Sequence, residues 1–190
     1  MKSVEIVGFK RANLGKSSAK ELRDKAEVPC VLYGGKDQVH FAVPMYLFRS
    51  LVYTPDAHTV DLNVEGTKYK AILQDIQFHP VNDIILHADF LELHDNKEVK
   101  IEVPVKVEGN SVGVAKGGKL VQRLRKVKVS ALPANLPDYV TINVADLDLG
   151  KTVKVSAIPT DNYKILNPPA VPVVTIEIPR ALKNATREGA

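Results

Sequence analysis

Short runs of alternating apolar and polar residues, separated by turn residues, fill the first half of the chain. Six of them read as strands: Val4 to Phe9, Val28 to Tyr33, Val39 to Val43, Thr59 to Val64, Tyr69 to Phe78 and Ile84 to Leu93. Glu65-Gly66, between two such runs, fits a hairpin turn. Two helices interrupt the strands. The spacing predicts that Ser18 opens the first, with Glu21 three positions on as its capping-box partner. Lys20 and Arg23 would then share one face, and Ala19, Leu22 and Ala26 the other. Pro44 to Val52 reads as the second helix, because proline suits a first helical turn. Six strands within 95 residues suggest a closed or nearly closed sheet, although periodicity alone leaves barrel and sandwich open.

The polar run HDNKE, His94 to Glu98, divides the chain. Beyond it, Val99, Ile101, Val103, Val105 and Val107 alternate with Lys100, Glu102, Pro104 and Lys106, which predicts a half-exposed strand. Pro104 is expected to place that strand at an edge or bulge. Further strands are expected at Val121 to Ala131, Val140 to Val144, Thr152 to Ala157 and Val171 to Ile178, with Gly113 to Gly118 and Leu132 to Pro137 as loops. The expected organisation is therefore a domain over residues 1–95, a second β domain over 96–179, and a mobile tail over 180–190.

Composition narrows the chemistry. The chain has 190 residues, 45% of them hydrophobic, enough to bury real cores. Cys30 is the single cysteine, so no internal disulfide is possible, and a reducing, cytoplasmic setting is expected. No apolar run suggests a signal peptide or a membrane span. The net charge of +4 permits an anionic partner without requiring one. Residues 1–95 carry 11 basic and 13 acidic side chains, so any cationic patch there is local. Lys116, Lys119, Arg123, Arg125, Lys126 and Lys128 follow one another with no intervening acid, and read either as a second RNA- or protein-facing surface or as a solvated face.

Enzymatic constellations have little support. His79, His87 and His94 with Asp75 and Asp89 lack any zinc-ligand spacing, the serines lack a nucleophile-elbow context, and the glycines and lysines of residues 113–119 do not match a P-loop. No cofactor is expected. His87-Ala88-Asp89-Phe90 says more. In a strand, His87 and Asp89 point one way while Ala88 and Phe90 turn inward. A carboxylate beside RNA is repelled by phosphates, so it makes sense there only as an acceptor for base amino groups. A ligand-free surface pair is the plain alternative.

Arg11, Gly15-Lys16, Leu22-Arg23, Val28-Pro29, Tyr33-Gly34, Gln74-Asp75-Ile76-Gln77, His79-Pro80 and His87-Ala88-Asp89-Phe90, in that order, resemble the bacterial large-subunit ribosomal protein family L twenty-five. The long members of that family are also called general stress protein CTC. The resemblance spans residues 1 to about 95, and the remainder looks like the extra β domain of the long form. It implies an N-terminal β-barrel with two short helices, no enzymatic activity, and a monomer bound to loop E of 5S rRNA among other components of the 50S subunit's central protuberance. It also implies RNA contacts at Arg11, Lys16, Lys20, Arg23, Tyr33, Gln74, His87 and Asp89. The four cations would be phosphate clamps, Tyr33 would offer a ring and a hydroxyl, and Gln74, His87 and Asp89 would read groove edges. Lys20 stands where many relatives have arginine, which keeps the charge but loses the bidentate fork; Glu21 stands where a basic residue is common and is explained by helix capping; Cys30 replaces a small residue and reads as core, where a buried thiol on an RNA-facing strand could be oxidation-sensitive. The reading from another class is a stress-induced chaperone-like or regulatory protein acting off the ribosome.

Overall fold

The structure, a computed structural model, describes residues 1–160 and 162–179. The expected tail at 180–190 lies outside the described residues. Two compact units are present: Met1–Ile101 with Leu132–Asp138, and Glu102–Ala131 with Tyr139–Ala190.

The first unit holds β1 (Lys2–Lys10), α1 (Lys16–Asp24), β2 (Glu27–Tyr33) and β3 (Val39–Pro44). A 3-10 turn (Met45–Phe48) then runs into α2 (Arg49–Val52), followed by β4 (His58–Val64), β5 (Thr67–Phe78) and β6 (Ile85–Glu92). The six strands close into a barrel in the order β1-β3-β2-β6-β5-β4. Closure combines antiparallel ladders with two parallel ones, β1 on β4 and β2 on β6. The hairpin at Glu65-Gly66 forms as expected: both residues have positive φ, 49° and 90°, and the Gly66 N–H donates to Asn63 Oδ1 at 3.0 Å.

Alternate residues of each strand fill the barrel. Ile6, Val28, Cys30, Leu32, Phe41, Val43, Val60, Leu62, Ala88 and Phe90 are all buried in it. Phe90 stands at the centre, its ring 5.7 Å from Phe41 and 6.2 Å from Phe48, both tilted, a favoured aromatic geometry. Gly8 lets β1 pass close to that cluster, because a Cβ there would lie 2.6 Å from the Phe41 ring.

Two local expectations for this unit fail. Ser18 does not cap α1: the cap is Gly15, at φ 147°, a conformation open to glycine, and its carbonyl accepts the first helical bond from Ala19. The Ser18 hydroxyl instead donates to Asn13 O at 3.0 Å. Ala26 lies beyond the helix, exposed and at φ 58°, so only Ala19 and Leu22 of the expected apolar stripe turn inward.

The second unit takes up β7 (Val99–Glu108) from residue 102, then α3 (Val112–Ala115), β8 (Lys119–Gln122), β9 (Lys126–Ala131), β10 (Val140–Asn143), β11 (Thr152–Lys154), β12 (Lys164–Ile165) and β13 (Pro172–Glu177). These form a four-stranded sheet, β10-β7-β9-β12, and a three-stranded one, β11-β13-β8. The strand expected over Val121 to Ala131 is broken at Arg123–Arg125, and its parts enter different sheets. Pro104 is buried within an inner strand rather than at an edge. The ladder with β10 starts only at Val105, so the N–H that proline lacks is not called on there. The expected loop after Gly113 contains the single turn of α3, capped by Ser111, whose Oγ accepts from Gly113 N.

Because Phe90 touches both other core rings, Phe90→Ala should cost about 3–5 kcal/mol of barrel stability. Urea unfolding followed by circular dichroism measures it, and a loss below about 1 kcal/mol would contradict this packing.

Candidate nucleic-acid interface

The alternation that puts Ala88 and Phe90 in the core sends His87 and Asp89 outward, as their spacing predicts. Register then builds a face around them. Asp75 of β5 lies opposite Asp89, Asp89 beside Val31 of β2, and Val31 opposite His40 of β3, a row crossing four strands. A second row pairs Gln77 with His87, and a third runs from Ile72 through Leu91 to Tyr33. The register shifts between Leu73 and Asp75, so Gln74 is the extra residue of a β-bulge, a device that re-aims side chains. Gln74 is exposed there.

The cations lie in two settings. Lys16 and Lys20 are exposed on α1, four residues apart. Arg23 is half-buried, and its Nε donates to Leu86 O on β6 at 3.0 Å, next to His87. Its expected partnership with Lys20 on one solvent-facing stripe is thus only half right, since Arg23 is tied to the barrel wall. Arg11 continues the end of β1, donating its N–H to His40 O, while its Nη2 reaches Asn13 O.

Buried polar atoms normally have partners. Among the described residues, three buried side-chain atoms lack one, and two of these are Arg11 Nε and Asp89 Oδ1. Asp89 Oδ1 nevertheless lies 2.7 Å from His87 Nδ1, so the two side chains form a His–Asp pair. The centre of the face is acidic, with Asp75 and Asp89 directly opposed, an arrangement unfavourable without compensation. Burial first, then Asp89 and Asp75, hold the Tyr33 phenol above its ordinary value, so Tyr33 is a donor at neutral pH. Acceptors in the middle and cations around them match a groove with base amino groups at its floor and phosphates on its walls.

Sequence reading missed Gln77, His40 and Asp75 as members of this face. The signal was present: Phe41 and Val43 point inward, so His40 points out, and Gln77 stands two residues from Asp75. Cys30 sits on the inner side of β2, fully buried. This is the core position expected for it, and burial, reinforced by Asp89 and opposed by Arg11, pushes its thiol far above the ordinary range, which disfavours the thiolate that oxidation needs.

The basic run of the second unit is more neutral in space than in sequence. Lys116 pairs with Asp148 at 2.9 and 3.0 Å, Arg123 with Glu177 at 2.5 Å, and Lys128 approaches Glu102 at 3.8 Å. Lys119, Arg125 and Lys126 are exposed without an ion pair among the described residues. No cluster of His, Cys, Asp or Glu able to hold a metal occurs among the described residues.

Two outcomes follow from these environments. Iodoacetamide at about pH 8 should leave Cys30 unmodified in the native protein and alkylate it fully in guanidinium; rapid native labelling would refute its burial. For Tyr33, a raised phenol keeps its proton in the folded chain while the unfolded chain loses it. Its contribution to stability is therefore complete below the ordinary 10.0 and is lost as pH rises through the folded value. A tyrosinate absorbance titration should show a late-ionising phenol that is missing from Tyr33→Phe.

Comparison with known proteins matches two stretches of the chain. Residues 6–90 fit the Ribosomal L25p family, and residues 98–180 fit the model described as Ribosomal protein TL5, C-terminal domain. Among similar proteins is the large ribosomal subunit protein bL25 of Cytophaga hutchinsonii, 55% identical, with 96% of this chain and 95% of the relative covered. Those of the same name from Amoebophilus asiaticus (49%; 99% and 96% covered) and Bacteroides fragilis (46%; 97% of each) are also similar. With a barrel of matching extent and relatives this similar along nearly their whole length, the chain belongs to the ribosomal L25p family, in the form that carries the TL5-type C-terminal domain.

Proposed function

We propose that this chain is a non-catalytic structural constituent of the large ribosomal subunit, and that its barrel binds 5S rRNA at loop E through the β5-β6-β2-β3 face. The observation that carries the reading is the arrangement of that face, with the His87–Asp89 pair and the exposed Gln74 bulge on its strands and Arg11, Lys16, Lys20 and Arg23 placed beside them. The names of the relatives supply the setting, a large ribosomal subunit.

The roles divide by position. Lys16 and Lys20 neutralise phosphates from the exposed side of α1, and Arg11 and Arg23 do so from the rim of the barrel. Asp89 accepts from base amino groups at the centre, flanked by His87, the Gln74 bulge and the Tyr33 hydroxyl. In the second unit, Lys119, Arg125 and Lys126 are the cations left to approach another anionic component of the particle.

Titration of the full chain against 5S rRNA and an unrelated hairpin, across a salt series, tests this. Lys20→Ala should lower the slope of log affinity against log salt by about one. Asp89→Asn replaces an acceptor by a donor and should cost about 1–3 kcal/mol with the slope unchanged. Tighter binding by Asp89→Asn would mean that the carboxylate only repels phosphate, and would overturn the readout.

A further inference from the structure

Beside β1, which stands three positions around the closed sheet from β6, the helical segment between β3 and β4 carries a feature that the face above does not use. The 3-10 turn and α2 bury Phe48 and Leu51 against the core. The opposite side of the same helical segment presents Tyr46, Arg49 and Tyr53, spaced i, i+3 and i+7. Tyr46 is 74% exposed and Tyr53 65%, high values for aromatic side chains. With Glu5 of β1, Ser50 and Thr54, they line one open recess of about 650 Å³. Arg49 and Glu5 share this recess without forming an ion pair with each other.

We infer that this recess is a second RNA site, which holds one unpaired, amino-bearing base of a single-stranded segment by stacking on Tyr46 and Tyr53. Exposed rings on one helical face are costly to keep in water and suited to the flat face of a base. Arg49, between them, supplies the cation that a strand's phosphate needs. Glu5 would repel that phosphate, so its place in the recess favours a base whose exocyclic amino group donates to it, adenine over uracil. A protein ligand would find rings and an arginine here too, but the Glu5 carboxylate lining the same recess gives an amino-bearing base the better complement. The site stands apart from the 5S rRNA reading, because none of its residues lies on the β5-β6-β2-β3 face.

The chain has no tryptophan and six tyrosines, so tyrosine fluorescence follows binding, and the variants at Tyr46 and Tyr53 show whether the change arises in this recess. Titration of the full-length protein with tetra-adenylate should give saturable quenching, with weaker binding of tetra-uridylate. Replacing both rings, Tyr46→Ala with Tyr53→Ala, should weaken tetra-adenylate binding roughly 5- to 150-fold for each stacking ring removed, read by NMR shifts because the reporting rings are gone. Tyr46→Phe with Tyr53→Phe should retain binding, and Glu5→Gln should erase the preference for adenine. Affinity for 5S rRNA should be unchanged in the double alanine variant, so this site and the first can fail separately. Absence of saturation with tetra-adenylate, or equal binding by the alanine variant with unaltered circular dichroism, would overturn the proposal. So would a photo-crosslinker at position 46 that captures protein rather than rRNA in assembled subunits.

Discussion

Strand β6 has to satisfy two demands with one alternation. Its inward residues, Ala88 and Phe90, sit at the centre of the barrel, and Phe90 holds the other two core rings. Its outward residues, His87 and Asp89, sit at the centre of the candidate interface. Since side chains repeat every two residues, a one-residue slip would bury a carboxylate and expose a phenylalanine together. The core thus fixes the position of the polar face more firmly than any contact among the polar residues could. The opposed Asp75 and Asp89 are held in place by packing beneath them, not by attraction to each other.

Much of this was legible because period-two patterning is a local property. All six barrel strands, the Glu65-Gly66 turn and the outward aim of His87 and Asp89 follow from the identity of neighbours. What was missed depends on residues far away in the chain. The break of the run Val121 to Ala131 reflects a change of sheet, to which the sequence of the run is indifferent. The cations at Lys116, Arg123 and Lys128 look unopposed only in one dimension, since Asp148, Glu177 and Glu102 come from other elements. The start of α1 was misplaced for a different reason. Ser18 carries a strong capping signal, but Gly15 could adopt a backbone conformation that began the helix sooner, leaving the hydroxyl to bond back to Asn13.

The candidate site shows the same division. Charge and type pointed to Arg11, Lys16, Lys20 and Arg23 as equals, yet the structure sorts them by freedom. The two lysines are exposed point charges on α1, whereas both arginines are engaged with backbone carbonyls. Pre-positioned guanidinium groups lose less entropy on meeting a phosphate, and their planar forks suit oriented recognition. The lysines suit the longer-range attraction that guides an encounter.

Barrel closure also sets a timetable during synthesis. β1, made before both of its partners, shares only two registered pairs with β3, while its seven-residue parallel ladder is with β4. The Thr59 hydroxyl donates to the Lys2 carbonyl across 57 residues of chain. Until β4 has left the ribosome that is making it, β1 has no full partner, and Val7 and Phe9 remain on a strand with an open edge. The nascent protein therefore depends on a later, long-range event to silence this strand, and a pause in translation between residues 10 and 58 would prolong the interval in which that edge can pair with the wrong chain.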